Sequence, residues 1–375
     1  MPSSDQRRQI IAAGLLLATH SLSTVIPLIF APDLQAIFGQ GLRTADIALY
    51  FILGFGLAQI PMGWLADRLS AGTFLRLSSP LLLLSILASV ITTDTDLYLA
   101  CRFCEGIGSA GMVIFGRFML RQGLSATQTA RALSVIFIVI SVLGTALPWA
   151  SSAIRSAGLA QQIRIAEALA SLLGAWLAGG AASVRRPVHA TIPLRREVRL
   201  ILARKDFRRY GLICALSYAG YTCLLIDISA MDLGLGSSFR SYLMSGTSLL
   251  YMLGGVAASR LLLRMGHATL IQWACRVNLL AVPVFMAAGH FLDHRQQLLI
   301  CAVLYIPLHA MHQLCGQPAA VSKDRSSGLA ISLIGTFIPL FAFITNKLAL
   351  LSLGPLSGFT LYAASLSLGL IGLLP

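Results

Sequence analysis

The stretch Arg102-Phe103-Cys104-Glu105-Gly106-Ile107-Gly108-Ser109-Ala110-Gly111 holds a literal G-x-G-x-x-G, preceded by two opposite charges three residues apart. In a dinucleotide-binding domain that glycine pattern follows a β-strand and opens a helix, so that backbone N–H groups reach a pyrophosphate. Here the flanks are apolar on both sides over about 97–120, the length of a helix that crosses a bilayer. No strand precedes the glycines and no turn sits at them. Small residues inside such a helix let a neighbouring helix approach closely, and Gly106, Gly108 and Gly111 are assigned that packing role.

Working outward, apolar runs of the same length recur along the whole chain, near 10–30, 45–65, 74–92, 97–120, 132–153 and 161–183, then 211–231, 242–263, 268–290, 297–316, 328–346 and 354–374. With 57% hydrophobic and 11% charged residues over 375 positions, the chain has too little polar surface to cover a water-soluble globule. The expected fold is an all-α membrane protein. Its first run begins near Ile10 behind Arg7 and Arg8 and lacks a small-residue cleavage site, so it reads as a first span and not as a signal peptide.

A formal charge of +14 raises a nucleic-acid partner, but the basic residues lie in short gaps between apolar runs and form no continuous face. They fit the retention of basic loops in the cytoplasm. With the N-terminus inside, the even-numbered loops hold Arg68, Arg76, Arg117, Arg121, Arg131, Arg260, Arg264, Lys323 and Arg325, and the longest loop, 184–209, adds Arg185, Arg186, Arg195, Arg196, Arg199, Arg204, Lys205, Arg208 and Arg209. The opposite side holds Arg43, Arg155, Arg164, Arg240, Arg295 and Lys347. Both termini are therefore expected in the cytoplasm. The basic segment, with Pro187 and Pro193, reads as a linker between a first half at 1–183 and a second at 210–375.

An internal repeat accords with two halves, a recurring plan of secondary transporters. Gly63-Trp64-Leu65-Ala66-Asp67-Arg68 ends the second span and Gly255-Val256-Ala257-Ala258-Ser259-Arg260 ends the eighth, each with Gly and Arg five residues apart. Seven cysteines, an odd number and mostly inside apolar runs, describe no disulfide framework. Cys101-x-x-Cys104 lacks the second pair that a metal site needs, so no metal is expected.

Ionisable groups inside the hydrocarbon are functional candidates, because each costs about 2.5–3.5 kcal/mol or more on insertion. Arg102 and Glu105 share one helical face, where they neutralise each other or address a common cavity. Asp227 has no basic residue within a helical turn, which suits either a reversible proton carrier or a hydrated carboxylate at the interface. Glu167, close to the start of its span, is expected to be hydrated, and Arg276 to be interfacial or to snorkel. His309 and His312 lie on one face of the tenth span, as a cavity wall or a proton relay. His20 marks a polar stripe with Thr19, Ser21, Ser23 and Thr24 that either lines a cavity or bonds to helix carbonyls. Gly144 to Pro148, Pro283, Pro307 and Pro339 are candidate bends.

These motifs resemble the Major Facilitator Superfamily, and within it the twelve-span drug:proton antiporters of the bicyclomycin/chloramphenicol-resistance type. Gly63 to Arg68 resembles the signature after span two, Arg102 to Gly111 the span-four motif, and Gly144 to Pro148 a weaker form of the span-five antiporter motif. The resemblance implies two six-helix bundles around a central cavity. It implies a conformational latch at Gly63, Asp67 and Arg68, with Arg260 at the equivalent end in the second half, and links Arg102 with proton exchange. It also has departures. Leu69-Ser70-Ala71-Gly72 follows where the family has further basic residues. Ser23 stands four before Pro27, where related antiporters often carry an acid, which leaves Glu105 or Asp227 to couple. Glu105 itself replaces a common glutamine.

The expected function is proton-coupled export of a small organic molecule, a drug, metabolite or siderophore, across a bacterial inner membrane by alternating access. The alternative is a proton-coupled importer of the same fold, and beyond it a non-transporting sensor or a membrane enzyme. With 14 Asp plus Glu, most of them in loops, no catalytic constellation shows itself. No cofactor and no nucleic acid is expected; the partners are substrate, protons and lipid, and the protein is expected to work as a monomer. The topology is directly testable: alkaline phosphatase fused after Asp293 is expected to be active and after Gly266 inactive, and the reverse pattern overturns the orientation.

Overall fold

In the computed structural model the described residues are 4–66, 69, 71–123, 126–180, 194–230, 236–321, 328–353 and 359–373, and nearly all of them are helical. The helices are α1 (Ser4–Ile29), α2 (Ala31–Phe38), α3 (Thr44–Ala66), α4 (Ala71–Ile91), α5 (Thr95–Gly123), α6 (Ala126–Ser156) and α7 (Ala160–Gly180), then α8 (Leu194–Ala203), α9 (Lys205–Ala230), α10 (Gly236–Met265), α11 (His267–Phe291), α12 (His294–Val321), α13 (Gly328–Leu353) and α14 (Phe359–Leu373). Over its described residues, every expected span falls on one of them. Among the described residues nine helices are long and apolar enough to cross a membrane.

Two short helices lie where loops were expected. α2 has proline in its first turn, where a missing N–H costs nothing, and Asp33 beside it; Gly39, at φ 68°, ends it in the left-handed region. α8 occupies part of the expected linker 184–209, because Leu194, Val198 and Ile201 recur on one helical face and Ile201 is buried. α9 then begins at Lys205, so the basic segment is not wholly a loop; its residues 184–193 lie outside the described residues.

The chain divides into two compact units, Met1–Ile192 and Pro193–Pro375. In the first unit α1 packs on α5, α6 and α7, α3 on α5, and α4 on α5 and α7. In the second α9 packs on α12, α13 and α14, α10 on α12, and α11 on α12 and α14. The two sets are the same when α1, α3, α4, α5, α6 and α7 are matched in order with α9 to α14. The internal repeat is thus carried by helix packing far more fully than by residue identity.

Each unit has its own apolar core: Leu16, Phe74, Leu82, Ile86 and Phe115 in the first, Ile213, Leu270, Ile271, Leu308 and Leu368 in the second. The outward surface is equally apolar, with Ile91, Trp176, Leu263 and Phe291 exposed. Such a surface aggregates in water and is at home in hydrocarbon.

Glycine sets the closest crossings, at equivalent places in the two units. A Cβ on Gly106 of α5 would collide with the Phe51 carbonyl oxygen and the Phe55 nitrogen of α3, and one on Gly54 with the Phe103 carbonyl. In the second unit a Cβ on Gly254 of α10 would lie 2.6 Å from Pro307 Cα of α12. Gly108 and Gly111 of α5 turn instead to α4, where a Cβ would lie 2.7 Å from the Cβ atoms of Leu82 and Ser78. Gly106→Ala is expected to destabilise the purified protein by about 1–3 kcal/mol in thermal or denaturant unfolding, because backbone must move. Gly246→Ala, with nothing within 4 Å, is the neutral control.

Candidate functional site: two buried polar clusters

The first unit contains a closed network of two arginines and two glutamates. Arg102 and Glu105 lie one turn apart on α5, and Arg164 and Glu167 repeat that R-x-x-E spacing on α7. Arg102 Nη1 is paired with Glu105 Oε2, and Arg164 reaches across to Glu105 Oε1 at 2.5 Å while holding its own Glu167 at 2.6 Å. Arg102 also donates to the carbonyls of Ile47 (3.1 Å) and Ser23 (2.9 Å), and its guanidinium lies 4.8 Å from the centre of the Phe51 ring. The Ser23 hydroxyl donates to Glu167 Oε1, and Arg164 lies 3.4 Å from Ser89 Oγ. Arg102 and Glu105 have no solvent exposure, and Glu167 has 3%.

Formal charges within this set sum to zero, and every nitrogen of the Arg102 guanidinium has a partner. Buried pairs of this kind offset a large desolvation cost only when geometry is good and remaining lone pairs are used, which is the case here. Glu167, expected to be hydrated, is buried because α7 turns it inward onto α1 and Arg164. Arg164, assigned to a loop from sequence, is likewise withdrawn into the helix bundle of its unit.

His20 stands beside the network on α1. Its Nδ1 is 3.2 Å from Ser109 Oγ, and its ring stacks on Phe55 at 4.1 Å between centroids. The rest of the polar stripe largely serves the helix itself, since Thr19 and Thr24 donate to the carbonyls of Leu15 and His20.

The second unit has a cluster of different chemistry, on α9 and α12. Ser217 Oγ lies 2.8 Å from His309 Nδ1 and 3.2 Å from His312 Nδ1, and His312 Nε2 lies 3.5 Å from Cys275 Sγ. Tyr221 stacks on His309 at 4.5 Å and 12° between planes, with Tyr251 and Tyr218 at 5.7 and 6.2 Å from the same imidazole. Gln313 donates to the Cys214 carbonyl at 2.8 Å. Deeper along α9, Asn346 Nδ2 donates to Thr222 Oγ1 at 2.8 Å. Asp227, 7% exposed on α9, accepts only the Cys223 thiol, at 3.8 Å, among the described residues.

The remaining candidates are scattered. Gly63 is buried in α3, while Asp67 and Arg68 lie outside the described residues. Arg260 is exposed on α10 and Arg276 is exposed on α11. On α6, Pro148 is buried and Gly144 half-buried. No group of three or more His, Cys, Asp or Glu able to hold a metal occurs among the described residues. Ser217, Tyr218, Tyr221, Tyr251 and Arg164 were missed by reasoning from sequence. Only Arg164 carried a usable signal, the repeat of the R-x-x-E spacing.

A family model, the Major Facilitator Superfamily, matches residues 11–346. The chain is a member of the Major Facilitator Superfamily. It is therefore a multi-pass membrane protein with a transporter fold. Among solved structures it resembles a D-xylose-proton symporter at a TM-score of 0.73 and 12% identity, covering 98% of this chain and 97% of that one. At that identity the likeness establishes the fold. No curated protein sequence matches the chain.

Within this superfamily fold the charge network makes a sharp energetic statement. Glu105→Gln strands the positive charge of Arg102 or Arg164 and is expected to cost about 3–5 kcal/mol in unfolding. The double variant Arg102→Met, Glu105→Gln is expected to recover a large part of that loss; a double variant less stable than the single one overturns the pairing.

Proposed function

We propose that this superfamily member is a proton-coupled secondary transporter that exports a small organic molecule by alternating access, in a bacterial inner membrane and as a monomer, with Asp227 carrying the proton. The observation that carries this reading is the contrast between its buried carboxylates. Glu105 is gripped by two guanidinium groups. Glu167 is held by one guanidinium and the Ser23 hydroxyl. Asp227 meets a thiol alone among the described residues. A carboxylate with no counter-cation crosses the apolar phase as the neutral acid and leaves no charge stranded behind it, whereas a clamped carboxylate must break ion pairs first.

The resemblance to drug:proton antiporters supports export, and Glu167 narrows the departure at Ser23. Where those antiporters often carry an acid on span one, the serine here receives a carboxylate from α7. On this reading Arg102, Glu105, Arg164 and Glu167 hold α1, α5 and α7 together as the transporter rocks, and Asp67 and Arg68 latch its cytoplasmic side. The fold is shared with a symporter, so the second reading is proton-coupled uptake.

Transport in inverted and right-side-out vesicles, screened with metabolites and drugs, separates these readings. The expected result is gradient-dependent movement equivalent to export, lost in Asp227→Asn by at least tenfold while substrate exchange without a gradient persists. Gradient-driven uptake moves the importer ahead. A gradient response unchanged in Asp227→Asn removes that residue as carrier.

A further inference from the structure

One hydroxyl group links two imidazoles in the second unit. Ser217 has a single O–H proton, so it donates to one histidine Nδ1 and accepts from the other. If it donates to His309, then His312 carries its proton on Nδ1 and its Nε2 accepts from the Cys275 thiol. His309 then carries its proton on Nε2. In the opposite sense His312 Nε2–H points at Cys275 Sγ, Ser217 donates to His312, and His309 presents a bare Nε2. Both senses use every contact in the chain. The outer nitrogen of His309 is thus a donor or an acceptor at the cost of reversing a few hydrogen bonds, and it has no partner among the described residues.

Around the His309 ring the neighbours are aromatic. Tyr218, Tyr221 and Tyr251 are half-buried, whereas His309 is 2% exposed. Tyr221 is tilted 38° from Tyr218 and 41° from Tyr251 at 6.3 Å between centroids, so the three rings present differently oriented faces. The hydroxyls of Tyr218 and Tyr221 make no hydrogen bond among the described residues. No hydrogen bond or ion pair joins Ser217, Tyr218, Tyr221 or His309 to a charged side chain among the described residues. Aromatic faces, the phenols of Tyr218 and Tyr221 and one reversible imidazole suit a flat ring bearing a neutral polar group at its edge.

We propose that Tyr218, Tyr221, Tyr251 and His309 Nε2 form a substrate subsite within the C-terminal unit for a planar aromatic molecule carrying a hydroxyl or amide group. This rests on the reading of the chain as a small-molecule transporter and names the class of its substrate; it is independent of direction and of proton coupling.

Equilibrium binding to the full-length protein in lipid nanodiscs, with empty discs subtracted and no proton gradient, tests it. The probes are 2-naphthol, naphthalene without the hydroxyl, decahydro-2-naphthol without the flat ring, and D-xylose. Saturable binding of 2-naphthol is expected, stronger than the other three by about tenfold or more. Tyr221→Ala and Tyr251→Ala are each expected to weaken it about tenfold, Tyr221→Phe by threefold or less, and His309→Leu to erase the preference for 2-naphthol over naphthalene. Tyr251 is half-buried, so its variant reports even if a change at buried His309 impairs folding. Absence of saturable 2-naphthol binding, equal binding of decahydro-2-naphthol, or indifference to both tyrosine-to-alanine changes overturns the subsite. Because no gradient is applied, failure of Asp227 as proton carrier leaves this measurement unaffected.

Discussion

A charge taken out of both water and reach of a counter-charge is not tolerated inside a bilayer, and the first unit is arranged around that constraint. Arg102, Glu105, Arg164 and Glu167 bind one another in an unbroken chain, so α5 and α7 are fixed to each other, and to α1 through Ser23, by groups that have no better alternative. The apolar contacts of Leu16, Phe74 and Phe115 fill space between these helices, but lipid tails would solvate them almost as well. Register and facing in this unit therefore follow the polar groups more than the apolar ones.

The two units share a packing plan and differ in the chemistry laid on it. In each, a glycine on one helix allows backbone contact with its partner: Gly54 and Gly106 between α3 and α5, Gly254 between α10 and α12. In each, the principal polar cluster is built on the fourth long helix, α5 with α7 and α1 in the first unit and α12 with α9 in the second. The first cluster is ionic and self-neutralised. The second is built from imidazole, hydroxyl, thiol and phenol groups, able to rearrange hydrogen bonds without moving net charge. The same packing plan thus carries an ionic cluster in one unit and a neutral hydrogen-bonded cluster in the other.

Membership of the Major Facilitator Superfamily gives these clusters their context, since transporter folds place function in polar side chains set within apolar helices. The family match extends over most of the chain while identity to a structural relative is only 12%. That combination is expected where the fold depends on helix length, apolarity and a few glycine crossings, all of which many sequences satisfy.

From the sequence alone, length and apolar periodicity determined an all-helical membrane protein and the positions of its spans, because the cost of exposing polar backbone or charge to lipid is read residue by residue. The glycines of α5 and the pairing of Arg102 with Glu105 were legible too, being local to one helix. What surrounds each charge was not. Glu167 looked hydrated because its position along the span was known and its helical face was not, and Asp227 stood open between water and burial for the same reason. Tyr218, Tyr221 and Tyr251 carry no motif, and they meet at His309 only because α9, α10 and α12 converge there. Contacts between helices distant in sequence depend on how each helix is rotated about its axis. That rotation was decided by the tertiary structure, through the joint demand that the buried guanidinium groups and the carboxylates they hold meet at once.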